Sequence, residues 1–513
     1  MARDFVSCDR GQLLLMPPSL VEWLPEDHLV WTVLGAVEAI DLSRFNDAYR
    51  LGAAGRPAYD PQMMVALLLY AYARGNRSSR GIERACWEDV AFKVICAMRT
   101  PDHSTIAEFR RRHEDDIKDL FDDVLGLCRE AGLVSVGVIT IDGTKIKANA
   151  SMDQNRSYRD LVTEILREAE ETDRREDQLY GEKRGDELPE QLRTAEGRRH
   201  ALEEAKRRLA ERKGRPVDDG PVAEYSVDLE PVVLARPVLR RGGRREWPQI
   251  ARRELEAHRA HQAQPIPRDR DDRLLQTLGR FEENHRVDLA AHEAYDRWRA
   301  TARDTRGRVL KGNSKPFTAP ELPGGVINLS DPDSRVMRTQ GTPPRQAYNA
   351  QTAVSEQQVI LAAEITIDAA DFGHLEPMLD TTLAHLHRHA VSEQPDAVLA
   401  DAGYWNTRQI EAITERGIEV LAPPDGTMRD GHRPGWEDGL YERMRQTLST
   451  ERGRKLYAKR KITVEPVYGQ IKHNRRIDRF MRRGRSAAQS EWRLVTATHN
   501  LLKLHSHWIA NTP

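Results

Sequence analysis

Two short apolar runs far apart in the chain each end in an aspartate. Val136-Gly137-Val138-Ile139-Thr140-Ile141 leads into Asp142, and Ala397-Val398-Leu399-Ala400 leads into Asp401. Such runs read as strands buried on both faces, which places each carboxylate at the carboxyl end of a buried strand. A third acid, Glu465, stands in a basic helical stretch that runs from Arg460 to Lys472. Oxygen ligands from two strand ends and a later helix suit hard divalent cations. A pair of such ions activates water and stabilises a leaving oxygen at a phosphodiester. Taken together, the three acids predict metal-dependent phosphodiester chemistry.

The overall charge does not announce a nucleic-acid binder, since 79 Lys and Arg face 80 Asp and Glu. Its distribution does. Between Glu451 and Arg485 there are 13 Lys and Arg against three Asp and Glu, so the positive charge is concentrated around the third acid. Phosphate-binding surfaces need such clustering more than a high overall charge. Four cysteines, Cys8, Cys86, Cys96 and Cys128, show no paired spacing, which argues against a zinc ribbon or a disulfide scaffold. No stretch has the pattern of a signal peptide or the length of a membrane helix. A soluble, cytoplasmic protein, bound to the nucleoid when on DNA, is the expectation.

Residues 1–130 read as an N-terminal helical domain suited to binding DNA. Asp60-Pro61 is a helix start, with Asp60 placed to cap and Pro61 at the first helical position. Met63, Met64, Leu67, Leu68 and Ala71 then recur at helical spacing, and Ser104 is placed to cap a helix carrying Ile106, Phe109 and Arg110-Arg111-Arg112. The arginines suit either phosphates or surface pairing with Glu114, Asp115 and Asp116.

Residues 134–151 hold the first core strand. Residues 152–330 read as a charged, mostly helical insertion, marked by Leu161, Ile165 and Ala169, by Ala195, Leu202 and Leu209, and by Leu274, Leu278, Phe281, Tyr295 and Trp298. A proline-rich linker is expected at 214–248. From 331 to 513 the core resumes with a hairpin (Gln346–Val354 and Val359–Thr366), a helix from Leu375 to Leu386 and the Asp401 strand. A helix near Ile410 and a strand at Ile418–Leu421 come next, then basic helices. Asn349 and Gln351 alternate with Ala350, so they share a face and are candidates to touch DNA. The predicted fold is α+β and multidomain: a helical domain, then an RNase H-like mixed α/β catalytic core interrupted by the insertion.

Several motifs in one order carry a resemblance to the DDE transposases of bacterial insertion sequences. They are Tyr59-Asp60-Pro61, Gly75-Asn76-Arg77-Ser78-Ser79-Arg80 and Pro101-Asp102-His103-Ser104-Thr105-Ile106 in the first hundred or so residues. Ile141-Asp142-Gly143-Thr144-Lys145, Asp331-Pro332-Asp333-Ser334-Arg335, Tyr348-Asn349-Ala350-Gln351 and Ala400-Asp401-Ala402-Gly403-Tyr404 follow, then nearly everything from Gly453 to Leu504. The resemblance implies that Asp142, Asp401 and Glu465 hold two Mg2+ ions, with Mn2+ able to substitute. It implies that Tyr457, a basic residue and Lys472 engage the backbone of the transposon end. Arg460 lies five residues before Glu465 and Lys461 four before, so the two compete for that basic position. Arg475 and Arg476 in the same basic run join the expected DNA contacts.

The activity implied is cleavage at transposon ends and joining of the freed 3′-hydroxyl to target DNA. The partners implied are double-stranded DNA, with terminal inverted repeats and target, and a second copy of the chain on paired ends. A metal-dependent nuclease without strand transfer, or a relative that only binds DNA, are the alternatives.

Overall fold

The computed structural model describes residues 19–49, 58–167, 246–261, 265–301, 321–339, 341–426 and 436–511. The chain divides into two compact units. One comprises Met1–Ile146, Asn349–Met481 and Ala487–Pro513, and the other Lys147–Tyr348 with Arg482–Ser486. The fold is mixed α/β. The unit boundaries at 146 and 349 set a wider segment apart than the 152–330 insertion, and the N-terminal helices share a unit with the strands.

The first unit opens with α1 (Leu29–Ala39), α2 (Ser43–Asp47), α3 (Pro61–Ala73), α4 (Ser79–Glu88), α5 (Val90–Ile95), α6 (His103–Arg112) and α7 (Glu114–Glu130). Asp60 caps α3 by accepting from the Gln62 amide at 2.9 Å, and Pro61 fills the first helical position. The apolar stripe on α3 is core, as its spacing predicted, but burial goes all round the helix: every residue from Met64 to Ala73 is buried. The central position explains this, since a helix surrounded by others has no solvent face. Helix α6 is capped by Asp102 rather than Ser104, with the carboxylate accepting from the Thr105 amide at 2.8 Å. Of the arginine triplet, Arg110 is buried and donates to the Tyr72 hydroxyl and the Arg77 carbonyl, whereas Arg111 and Arg112 pair with Glu108.

Five strands of a six-stranded sheet are β1 (Val138–Lys147), β2 (Arg345–Ser355), β3 (Ile360–Thr366), β4 (Ala397–Leu399) and β5 (Glu419–Leu421), side by side in the order β3-β2-β1-β4-β5; the sixth, Arg335–Met337, pairs antiparallel with the start of β2. The hairpin is where its alternation placed it, with β2 and β3 antiparallel from Asn349 opposite Thr366 to Val354 opposite Ile360. Strands β1, β4 and β5 run parallel. Parallel strands buried on both faces must be apolar throughout, and Val138, Ile139, Thr140 and Ile141 are at most 7% exposed.

Helix α8 (Leu375–Arg388) lies between β3 and β4 in the chain and α9 (Thr407–Glu415) between β4 and β5. They are followed by α10 (Leu440–Ser449), α11 (Glu451–Gly469) and α12 (Arg485–Asn511). Helix α12 protects the outer edge of β3 with side-chain amides. Asn500 bonds both the N–H and the carbonyl of Ile360 at 2.8 Å, and Gln489 takes the Ile365 N–H and donates to the Ala363 carbonyl. An edge strand is closed by side chains where no further strand is available.

In the second unit, helices Glu246–His261 and Arg270–Thr301 run antiparallel: Trp247 packs with Ala294 and Tyr295, Arg252 pairs with Asp288, and Arg259 with Glu283. One long helix thus carries all of Leu274, Leu278, Phe281, Tyr295 and Trp298. Leu161 and Ile165, in the helical stretch 158–167, bury against Leu274, Leu278 and Phe281. Ala169, the Ala195–Leu209 repeat and nearly all of the proline-rich 214–248 segment lie outside the described residues.

Candidate active site

The register of β1 and β4 decides where the two aspartates go. Val138 faces Ala397, Ile139 faces Val398 and Thr140 faces Leu399. Continued by two residues, the same register sets Asp142 beside Asp401, one midway along β1, which runs on to Lys147 instead of ending at the aspartate, and one just beyond β4. There the backbone turns: Asp401 accepts from the Gly403 amide at 2.8 Å and caps the short turn Ala402–Tyr404.

Helix α11 packs against this middle part of β1. Thr450 caps its start, accepting from the Gly453 amide at 2.9 Å, and Val464 and Val467 bury one face together with Ile471 just beyond. That orientation fixes three contacts to β1. Thr463 meets Thr140 at 2.9 Å, Tyr468 donates to the Asp142 carbonyl at 2.7 Å, and Arg460 reaches the aspartates. Arg460 Nη2 lies 2.9 Å from Asp142 Oδ2 and 3.7 Å from Asp401 Oδ2. Beyond α11, Lys472 donates to the Thr144 hydroxyl and the Lys145 carbonyl.

The electrostatics follow from this placement. Burial pushes the Asp142 carboxyl up to about 6, against the pull of the Arg460 guanidinium and with a further push from Asp401. Asp401 is more open, its side chain 40% exposed. Tyr457, half-buried one turn before Arg460, has its hydroxyl raised chiefly by burial.

Two carboxylate oxygens converging on one cationic nitrogen form a donor set that a hard divalent ion fits. Here the guanidinium is the cation between them. Glu465 stands on the same helix but is exposed. Among the described residues no three Asp, Glu, His or Cys side chains lie close enough together to form a metal-binding group.

The other expected DNA contacts separate into two kinds. Lys461 and Arg476 are exposed. Arg475, Asn349 and Gln351 are not: they are 6%, 0% and 1% exposed. Arg475 donates to the Val495 carbonyl and the Thr498 hydroxyl, and burial brings its pKa down to about 9. A count of charges along the chain cannot tell a solvated arginine from one that ties two helices together. Asn349 and Gln351 do share a face, but it points inward at Asp371: Asn349 Nδ2 donates to Asp371 Oδ1 at 2.7 Å and Gln351 Nε2 at 2.8 Å.

Asp371, which no motif in the sequence marked, is where these side chains meet. It stands in the loop after β3, and Lys145 pairs with it at 3.2 Å. The one signal available was Gly143, directly after the first aspartate. A Cβ there would stand 2.4 Å from Asp371 Oδ1 and from Gln351 Nε2, so only glycine lets the strand pass this close.

Two regions of the chain match known domain families. Residues 18–112 match the family described as Transposase domain (DUF772), and residues 432–505 match the one described as Transposase DDE domain. No curated protein and no solved structure matches the chain significantly. The second match contains Tyr457, Arg460, Lys461, Glu465 and Lys472, while Asp142 and Asp401 lie between the two. The resemblance to DDE transposases of insertion sequences is borne out at both ends of the chain.

Proposed function

We propose that this chain, which carries a transposase domain towards each end, cleaves phosphodiester bonds at the ends of an insertion sequence and joins the freed 3′-hydroxyl to target DNA. The observation that carries the reading is the convergence of Asp142 and Asp401, from adjacent parallel strands, on the single guanidinium of Arg460. The strand order, with β1 central, an antiparallel hairpin on one side and two parallel strands on the other, supports an RNase H-like core.

Asp142 and Asp401 would hold the divalent cations, with Glu465 from α11 completing the set. When bound, Mg2+ or Mn2+ supplies an acidified water and charge stabilisation at the phosphate. The chain's own residues do the rest. Thr463 and Tyr468 fix α11 against β1, so the strand and the helix keep one spacing. Arg460 neutralises the aspartates in the free protein. The exposed Lys461, Arg476 and other basic residues of this stretch engage the DNA backbone, and a second copy is expected because two ends are joined together.

The test is incubation of the purified protein with linear DNA carrying the flanks of its own gene, with and without Mg2+, followed by mapping of the cut ends. Metal-dependent nicks bearing 3′-hydroxyls at inverted repeats are expected. A folded protein that binds this DNA and leaves it intact in Mg2+ and Mn2+ would overturn the reading in favour of a DNA-binding relative. Cleavage without joining to a target duplex would reduce it to a nuclease.

A further inference from the structure

Inside the N-terminal helices the sulfurs of Cys86 and Cys96 lie 3.8 Å apart, and both side chains are buried. Cys86 is in the last turns of α4, Cys96 caps the end of α5, and Asp89 alone joins the two helices. The turn after Cys96 has the hydrogen bonds of a helix ending that usually takes glycine: the Ala97 N–H donates to the Val94 carbonyl and the Met98 N–H to the Lys93 carbonyl. Here, however, Ala97 and Met98 stand at φ 45° and 62°, left-handed values that a Cβ disfavours. Strain of this kind persists only where its surroundings hold it, and it gathers at switching segments. The backbone carrying the two thiols runs at the surface, since Trp87 is 64% exposed and Met98 53%. The sulfur contact also makes the two thiols unequal. A hydrogen bond from the Cys96 thiol holds Cys86 below the usual thiol range against the effect of burial, and the same bond, with burial, holds Cys96 above it. Thiolate character is what lets a cysteine react with an oxidant. Cys128 faces the Asn500 carbonyl instead of a second sulfur, and burial pushes its thiol up to about 12.

We infer that Cys86 and Cys96 form a redox-sensitive clamp: hydrogen peroxide oxidises the pair to a disulfide that ties the end of α4 to the end of α5, and a thiol reductant releases it. In the first step the Cys86 sulfur attacks one peroxide oxygen and the O–O bond breaks. Cys86 becomes a sulfenic acid, and the other oxygen leaves as water. In the second step the Cys96 sulfur attacks the Cys86 sulfur, an S–S bond replaces the S–O bond, and the Cys96 proton leaves with the hydroxyl as a second water. The two sulfurs together lose two electrons, and the peroxide gains them. To bond, the sulfurs must close from 3.8 Å to about 2 Å. The strained turn at Ala97 and Met98 is where the backbone gives most readily. The corner lies within residues 18–112, the stretch that matches a transposase domain, so the clamp acts on that domain.

Thiol titration of the full-length protein carrying Cys8→Ser, in which Cys86, Cys96 and Cys128 are the three cysteines left, tests this before and after hydrogen peroxide under native conditions. The titre is expected to fall from three thiols to one and to return to three with dithiothreitol. Peptide mapping of the oxidised protein should find Cys86 joined to Cys96, and its heat-denaturation midpoint should rise by a few degrees. Adding Cys96→Ser should leave Cys86 at the sulfenic acid, where dimedone captures it. An unchanged titre in the folded protein overturns the inference. Loss of all three thiols at one rate overturns it too, since oxidation would then follow unfolding. A disulfide that forms without raising the midpoint also overturns it, because such a bond clamps nothing.

Discussion

Each unit of the chain contains a pair of acids close together, and the two pairs are treated in opposite ways. In the second unit Asp331 and Asp333 have dedicated partners: the Tyr348 hydroxyl donates to Asp331 at 2.7 Å, and Asp333 takes the Arg280 guanidinium and the Arg485 amide. Burial alone would raise both, yet Arg280 holds Asp333 below the usual carboxylate range, while Asp331 is pushed up to about 6. In the first unit Asp142 and Asp401 share one guanidinium, closer to one than to the other. Acids with private partners hold a fold together, and breaking such a buried pair is costly. On the function proposed above, the acids that share one cation would exchange it for a metal ion.

That contrast is open to attack by substitution. The largest expected effect is on chemistry: Asp142→Asn or Asp401→Asn should slow Mg2+-dependent DNA cleavage by roughly 10³-fold or more, since a metal supplies several kcal/mol at the reacting phosphate. The same variants should keep wild-type DNA binding in a mobility-shift assay and unfold at an unchanged or higher denaturant concentration. Asp333→Ala should do the reverse. Leaving Arg280 buried without its partner is expected to cost about 3–5 kcal/mol, read by urea denaturation. If Asp333→Ala were as stable as wild type, the distinction between the pairs would collapse.

A third substitution sharpens the comparison at close range. Gly143→Ala forces a methyl group against Asp371 and Gln351, and overpacking of this kind costs about 1–3 kcal/mol. Lowered melting together with weakened Mn2+ binding is the expected outcome, whereas an unchanged protein would mean that the strand is free to shift.

The smallest effect concerns His499, which is buried with Nε2 bonded to the Gln358 carbonyl. Burial, with Arg475 adding to it, brings its pKa down to about 3. A depressed folded pKa means that the unfolded chain takes up the proton first. The contribution to stability is therefore complete above about pH 6.5 and is lost as pH falls towards 3. Between pH 7 and 5 the loss should be about 2 kcal/mol, and His499→Gln should remove it from a urea titration.

The parts that could be read from the chain are those where one local pattern has one physical cause. The apolar runs before Asp142 and Asp401 yielded strands β1 and β4, and alternation yielded the β2–β3 hairpin and the shared face of Asn349 and Gln351. What could not be read is direction. The face shared by the two amides turns inward because Asp371 and Tyr404 lie against it, which only the tertiary structure shows. Arg475 looks like its neighbours in a basic run, and only the packing of α12 makes it interior. Asp371 sits in the polar stretch after β3, where nothing in the spacing separates it from Asp368. Its partners come from residues more than two hundred positions earlier and about twenty earlier at once.

Arg77, just before α4, donates to the Arg479 carbonyl and pairs with Glu491 at 2.9 Å across 414 residues of chain. Gly75 beside it approaches the Arg475 backbone so closely that a Cβ would stand 2.5 Å from its carbonyl oxygen. During synthesis the N-terminal helices emerge first, and chains build at about 5–20 residues per second. The arginine at the head of α4 therefore waits roughly twenty seconds or more for its counter-charge to be made. Until then the Arg77 guanidinium lacks the carboxylate that pairs with it. The packing at the head of α4 thus depends on a residue synthesised 414 positions later.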